Sequence, residues 1–128
     1  MTLEITPLYA MPLAIMLFLL WLNVVKRRGL SEMSIGYGND ATLHEYIRKH
    51  GNFIEFVPLV LVIMALAELR GGNATALHVA GGLLVVSRAL HPFGLHHDRA
   101  MHVLRIVGNT GSLMALFVAV GAIGFSYL

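Results

Sequence analysis

Arg48-Lys49-His50-Gly51-Asn52-Phe53-Ile54-Glu55-Phe56-Val57-Pro58 opens a hydrophobic segment that runs on without a charge to Leu66. A cation, an amide and a carboxylate therefore stand at the head of what reads as a membrane span. A charged side chain at mid-bilayer costs about 2.5–3.5 kcal/mol even on the lenient insertion scale, so such groups are usually paired, turned inward and functional. The stretch decides both the fold class and the first candidate site.

Working outward, 57% of the 128 residues are apolar and only 12% are charged, about half the charged share of an average soluble domain. At about 20 residues per crossing, the chain has room for four spans and short loops, with no soluble domain beside them. It contains no cysteine, which excludes disulfides, thiolate metal sites and a cysteine nucleophile. The net charge of +2 suits basic loop ends at a lipid surface, and no nucleic-acid partner is expected.

A first apolar run, Leu8 to Val25, is broken only by Asn23 and ends at Lys26-Arg27-Arg28-Gly29. The charges follow the apolar run, the reverse of a secretory signal, so it reads as a retained span, with Pro12 kinking its outer end. Gly29, Gly36, Gly38, Asn39 and Asp40 make the next stretch a loop. The reading is all-α: an integral-membrane four-helix bundle, one transmembrane domain over 1–128, with spans at about 6–26, 43–69, 74–91 and 105–127. Lys26, Arg27, Arg28, Arg48 and Lys49 flank the first loop and Arg88, Arg99 and Arg105 the third. The positive-inside rule then places loops 1 and 3 in the cytoplasm and both termini opposite.

Within span two, residues 48, 52 and 55 are spaced four and three apart and share a helix face, which His44 extends by one turn. Arg48 offers a planar donor fork for a carboxylate, Asn52 a donor and an acceptor, and Glu55 an acceptor for an ammonium or N–H. That set suits a zwitterionic, peptide-like ligand. The bland alternative is an ion pair of Glu55 with Arg88 or Arg48 that serves assembly alone. Pro58 leaves the Ile54 carbonyl without its helical donor.

The third loop, His91 to His102, carries His91, His96, His97, Asp98 and His102. No ordered motif of the His-x-x-Glu-His kind accompanies them, so no metal site is expected and the histidines read as meeting water, headgroups or ligand. His78 reads as an interfacial residue. Gly108, Gly111, Ser112 and Ala115 form a small-residue face on span four, a packing surface first and, through Asn109 or Ser112, a ligand contact second. The seven Met residues read as apolar filler.

Arg48-x-x-x-Asn52-x-x-Glu55-x-x-Pro58 at the start of the second of four spans resembles the signature of the MAPEG family, the membrane-associated proteins of eicosanoid and glutathione metabolism, in its microbial type. Gly81 or Gly82, then Arg88, then Gly94 continue the likeness through span three. The resemblance implies a left-handed four-helix bundle assembled as a homotrimer, with glutathione as co-substrate held between neighbouring protomers toward the cytoplasmic side. By position, Arg48, Asn52 and Glu55 would hold the peptide, with Arg88, His91 and His102 as further ligand contacts. A basic residue near the start of span four would stabilise the thiolate; Arg105 is the candidate, and a gapless count from Gly94 puts His102 there instead. Tyrosines that family enzymes place near these positions are Leu84 and Leu95 here, and a basic residue found in some members is Gly51.

The function implied by this resemblance is an integral-membrane glutathione-dependent transferase or peroxidase acting on lipophilic small molecules, its second substrate drawn from membrane lipid. The alternative is a non-catalytic ligand- or lipid-binding scaffold of the same fold, favoured by Leu84 and Leu95. A small transporter subunit ranks third, since inverted repeats and broken helix pairs are absent.

Overall fold

Asp40, Asn73 and His102 stop the chain at three helix starts. The Asp40 carboxylate accepts from Leu43 N–H (3.0 Å), the Asn73 side chain from Ala76 N–H (3.0 Å) and His102 Nδ1 from Leu104 N–H (3.2 Å), each satisfying one of the donors a helix start leaves open. In the computed structural model, which describes residues 2–128, these caps separate α1 (Thr6–Ser31), α2 (Ala41–Leu69), α3 (Ala74–Gly94) and α4 (Val103–Phe125). All four are long and apolar enough to cross a membrane. The only extended pairing among the described residues is an isolated bridge between His96 and Arg99.

Two helices outrun their expected ends. α1 continues through Lys26-Arg27-Arg28-Gly29 to Ser31, because basic side chains are good helix formers and suit the negative end of the helix dipole. It ends only where Glu32 turns left-handed (φ 52°), with Arg28 donating to the carbonyls of Met33 (3.2 Å) and Gly36 (2.9 Å). α3 runs past Pro92 to Gly94. α1 and α2 are each continuous through their internal prolines, Pro12 and Pro58.

The tightest packing is α3 on α4. A β-carbon at Gly108 would stand 2.6 Å from His91 Cβ and one at Gly111 2.8 Å from Ser87 Cβ, so hydrogen in place of a side chain lets the backbones close. Ser87 and Ser112 hydroxyls meet across this seam at 2.9 Å, and Ser112 also donates to the Gly108 carbonyl at 2.8 Å. α1 enters through Tyr9, whose ring fills the space a β-carbon at Gly81 would need, while Gly82 faces open space. Among the described residues α1 touches α2 and α3 but not α4. Large apolar side chains such as Phe18, Leu19, Val62 and Phe117 cover the outside, as a lipid solvent requires.

The two ends differ in chemistry. At one, the Glu68 carboxylate caps α1 from a different helix, accepting from the backbone N–H of Glu4 (2.6 Å), Ile5 (2.6 Å) and Thr6 (2.8 Å). Arg70 lies 3.4 Å over the Tyr127 ring and bonds Ser126 there, and His78 meets Tyr9 at 2.8 Å. At the other end Arg27 grips Asp40 with Nε at 2.7 Å and Nη2 at 3.0 Å, while His97 meets Glu45. Loops 1 and 3 thus share one end, and the two termini share the other with loop 2.

Candidate functional site

Glu45 and the face of α2 that follows it open toward the third loop. His97 donates its backbone N–H to Glu45 Oε1 at 2.9 Å and its ring Nδ1 meets the same oxygen at 2.5 Å. His96 lies against His102 edge-on at 5.7 Å, and Tyr37 of the first loop stacks on His44 at 3.9 Å. The two loops therefore wall in the first turns of α2. Between them is a polar cavity of about 440 Å³, lined by His44, Glu45, Arg48 and Asn52 from α2, His91 from α3, Leu95, His96 and His97 from the loop, and Arg105 and Asn109 from α4.

Gly94 sets where α4 enters this space. A β-carbon there would collide with the backbone of Leu104 and Arg105, so glycine lets the first turn of α4 rest on the end of α3. Arg105 is carried to the cavity wall by this contact, and its guanidinium donates to the Ala100 carbonyl at 2.7 Å.

Of the residues singled out in the sequence, Arg48, Asn52, His91 and Arg105 meet in the cavity wall, although 57 positions separate the first from the last. Glu55, Arg88 and His102 do not line it. Glu55 lies on the same face as Arg48 but farther along, and pairs with it at 3.3 Å, both side chains about half exposed at 49% and 51%. This pair lies within one helix, whereas one of the expected alternatives was a bridge to α3. Gly51 leaves it room, since a β-carbon there would sit 3.3 Å from the Arg48 Nη1 that crosses above it. His102 is turned into the cap of α4.

Arg88 is 1% exposed and points inward. One nitrogen donates to Asn52 Oδ1 at 2.7 Å and the other to the Gly108 carbonyl at 2.9 Å, with the Phe56 ring 5.3 Å away. It fixes the Asn52 amide and ties α2, α3 and α4 together, so its contribution to the cavity is the orientation of Asn52. Leu84 and Leu95 also part company: Leu84 is buried in the apolar core, whereas Leu95 lines the cavity. Asn109, the weaker of the expected contacts, lines it too, while Ser112 is spent on Ser87.

Glu45 was missed by sequence reasoning. Its signal was available, because 45, 48 and 52 are spaced three and four and continue the stripe by one turn. Lys49 Nζ stands 3.6 Å from its second oxygen. The cavity thus combines one carboxylate with two guanidinium groups, an amide pair and several imidazoles. No group of three or more His, Asp or Glu side chains among the described residues is arranged to hold a metal.

Known proteins resemble this chain. The MAPEG family model matches residues 6–125. The chain is 32% identical over 93 residues to the inner membrane protein YecN of Escherichia coli K12, covering 73% of this chain and 71% of YecN, and YecN of E. coli O6:H1 gives the same figures. No solved structure matches it. With four apolar helices and matched along nearly its whole length, this multi-pass integral membrane protein belongs to the MAPEG family.

Proposed function

We propose that the polar cavity binds glutathione and that the protein uses its thiolate against lipophilic electrophiles or peroxides dissolved in the surrounding membrane. The observation that carries this reading is the convergence of Arg48 and Asn52 from α2 with Arg105 and Asn109 from α4 on one cavity at the end shared by loops 1 and 3. Arg48 pairs with a glutathione carboxylate, Asn52 holds a peptide group, and Glu45 is the acceptor for the ammonium, with Glu55 behind them steadying Arg48. Arg105 stabilises the thiolate, since a cation near sulfur lowers its pKa. Against an aryl halide, the thiol proton leaves to solvent, a carbon–sulfur bond forms and halide departs. Positioning and electrostatic stabilisation suffice for that step.

The assembly proposed is a homotrimer with loops 1 and 3 in the cytoplasm. Support comes from the half-exposed Arg48–Glu55 pair inside a spanning helix. Left against lipid, the Glu55 charge midway along α2 would cost up to about 2.5–3.5 kcal/mol, and a neighbouring copy covering this face removes that exposure.

A non-catalytic binding scaffold is the second reading, favoured by the commitment of Arg105 to the Ala100 carbonyl and by Leu95 in the wall. Calorimetric titration of the purified protein with glutathione, alongside thiolate absorbance and conjugation of an aryl halide, separates the two. The enzyme reading expects binding that weakens at least tenfold in Arg48→Ala and a thiolate signal lost in Arg105→Ala. Binding without thiolate or product would leave the scaffold, and absence of binding would sink both glutathione readings.

A further inference from the structure

A second cavity lies on the other side of the α2–α3 pair, and we infer that it holds an anionic glycerophospholipid of the surrounding leaflet. Its volume is about 410 Å³, and it is walled by Met16, Leu19, Leu20 and Asn23 of α1, by Tyr46 and Lys49 of α2, and by Arg88, Pro92 and Phe93 with their neighbour on α3. Residues 16, 19, 20 and 23 are one face of α1, a strip about 10 Å long at 1.5 Å per residue. Met16, Leu19 and Leu20 run toward one end, and Asn23, Tyr46 and Lys49 gather at the other, beside Pro92 and Phe93 and about one turn above Arg88 on α3. That end is the one with the basic loop-facing turns, so the polar part stands at headgroup depth and the apolar part runs toward the membrane interior.

Charge selects the occupant. Two cations, Lys49 and Arg88, line the cavity and no carboxylate does. Lys49 Nζ pairs with Glu45 Oε2 at 3.6 Å, too long for a hydrogen bond, so its ammonium donors stay free for a phosphate, while Glu45 Oε1 is held by His97. Arg88 is 99% buried, and its Nε–H has no acceptor although its other two nitrogens do. A buried guanidinium with an unspent donor raises the potential of the wall it forms. A lipid phosphate at Lys49 and Tyr46, with the Asn23 amide beside it and one acyl chain along Met16, Leu19 and Leu20, answers that potential and fills the apolar strip. The cavity is separate from the glutathione site, from which the Arg88–Asn52 bond divides it.

Native mass spectrometry of the protein, purified with an equimolar mixture of phosphatidylglycerol and phosphatidylcholine and without any thiol, tests this independently of the glutathione reading. The wild type is expected to retain phosphatidylglycerol over phosphatidylcholine. Lys49→Gln should cut that retention about fivefold, the factor for one cation at an anionic lipid. Leu19→Trp, at a position already exposed on the outer face, should lower retention of both lipids by filling the strip without touching the core. Equal retention of the two lipids overturns the inference. So does a preference that survives both substitutions, or one that disappears only when Lys26 and Arg28 are neutralised, which would mark it as a general basic rim. Occupation of the face by a second copy of the chain would appear as an oligomer that Leu19→Trp breaks while lipid retention stays unchanged, and would equally refute it.

Discussion

Replacing Arg88 by lysine would keep the charge and remove the fork. One ammonium cannot reach both Asn52 Oδ1 and the Gly108 carbonyl, which the two guanidinium nitrogens hold at 2.7 and 2.9 Å, and losing one hydrogen bond from a charged donor costs about 1.5–3 kcal/mol. Thermal unfolding in detergent should therefore show Arg88→Lys melting well below the wild type; an unchanged melting temperature would mean the fork does not tie the helices. Asp40 is the residue whose effect depends on pH. It lies outside the spans, and hydrogen bonds from Arg27 first, then from Ser31 and the Leu43 N–H, hold its carboxyl well below the usual carboxylate range. A depressed folded-state pKa stabilises the fold above the unfolded value of 3.8, and this contribution is lost as pH falls below that value through the folded one. Asp40→Asn should accordingly lower the melting temperature at pH 7, and the gap from the wild type should close below pH 3.8. A gap that stays constant down to pH 2 would mean that it does not come from the Asp40 charge, since an asparagine there still caps α2 as Asn73 caps α3.

At the scale of elements, the contact of α3 with the start of α4 is governed by Gly94. A β-carbon there meets backbone atoms of Leu104 and Arg105, which cannot rotate away as a side chain could, so α4 must shift. Gly94→Ala should cost about 1–3 kcal/mol by overpacking and weaken glutathione binding through the displaced Arg105. Gly82→Ala, inside α3 with open space around it, is the matched control and should melt at or slightly above the wild type. The four helices themselves were legible in the sequence because each is an apolar run closed by Gly, Asn, Pro or charge. Helix ends were less so: Lys26-Arg27-Arg28 reads as a stop by polarity, yet nothing in those residues breaks a helix once it leaves the lipid. The stripe at Arg48, Asn52 and Glu55 could be read from spacing within one helix, and the structure puts Arg48 and Asn52 in the cavity wall while Glu55 turns to Arg48. Glu68 as the cap of α1 and Arg88 as the anchor of Asn52 could not be read, because each depends on where a different helix passes, and periodicity within one segment carries no record of that.

On the scale of the whole molecule, charge and topology make one joint prediction. Every Lys and Arg except Arg70 belongs to the end that carries loops 1 and 3, and both cavities open near that end. Since the chain has no cysteine, single thiols introduced as Thr2→Cys, Ser34→Cys and Asp98→Cys report their side of the membrane without background. In spheroplasts of a bacterial host, a membrane-impermeant maleimide should label Thr2→Cys directly and Ser34→Cys and Asp98→Cys only after permeabilisation, as the positive-inside rule requires. The reverse pattern would do more than invert the topology. It would turn the polar cavity away from the cytosol, and with it the access to a cytosolic thiol on which glutathione chemistry depends, leaving Arg48, Asn52 and Arg105 to be explained by a ligand of the opposite compartment.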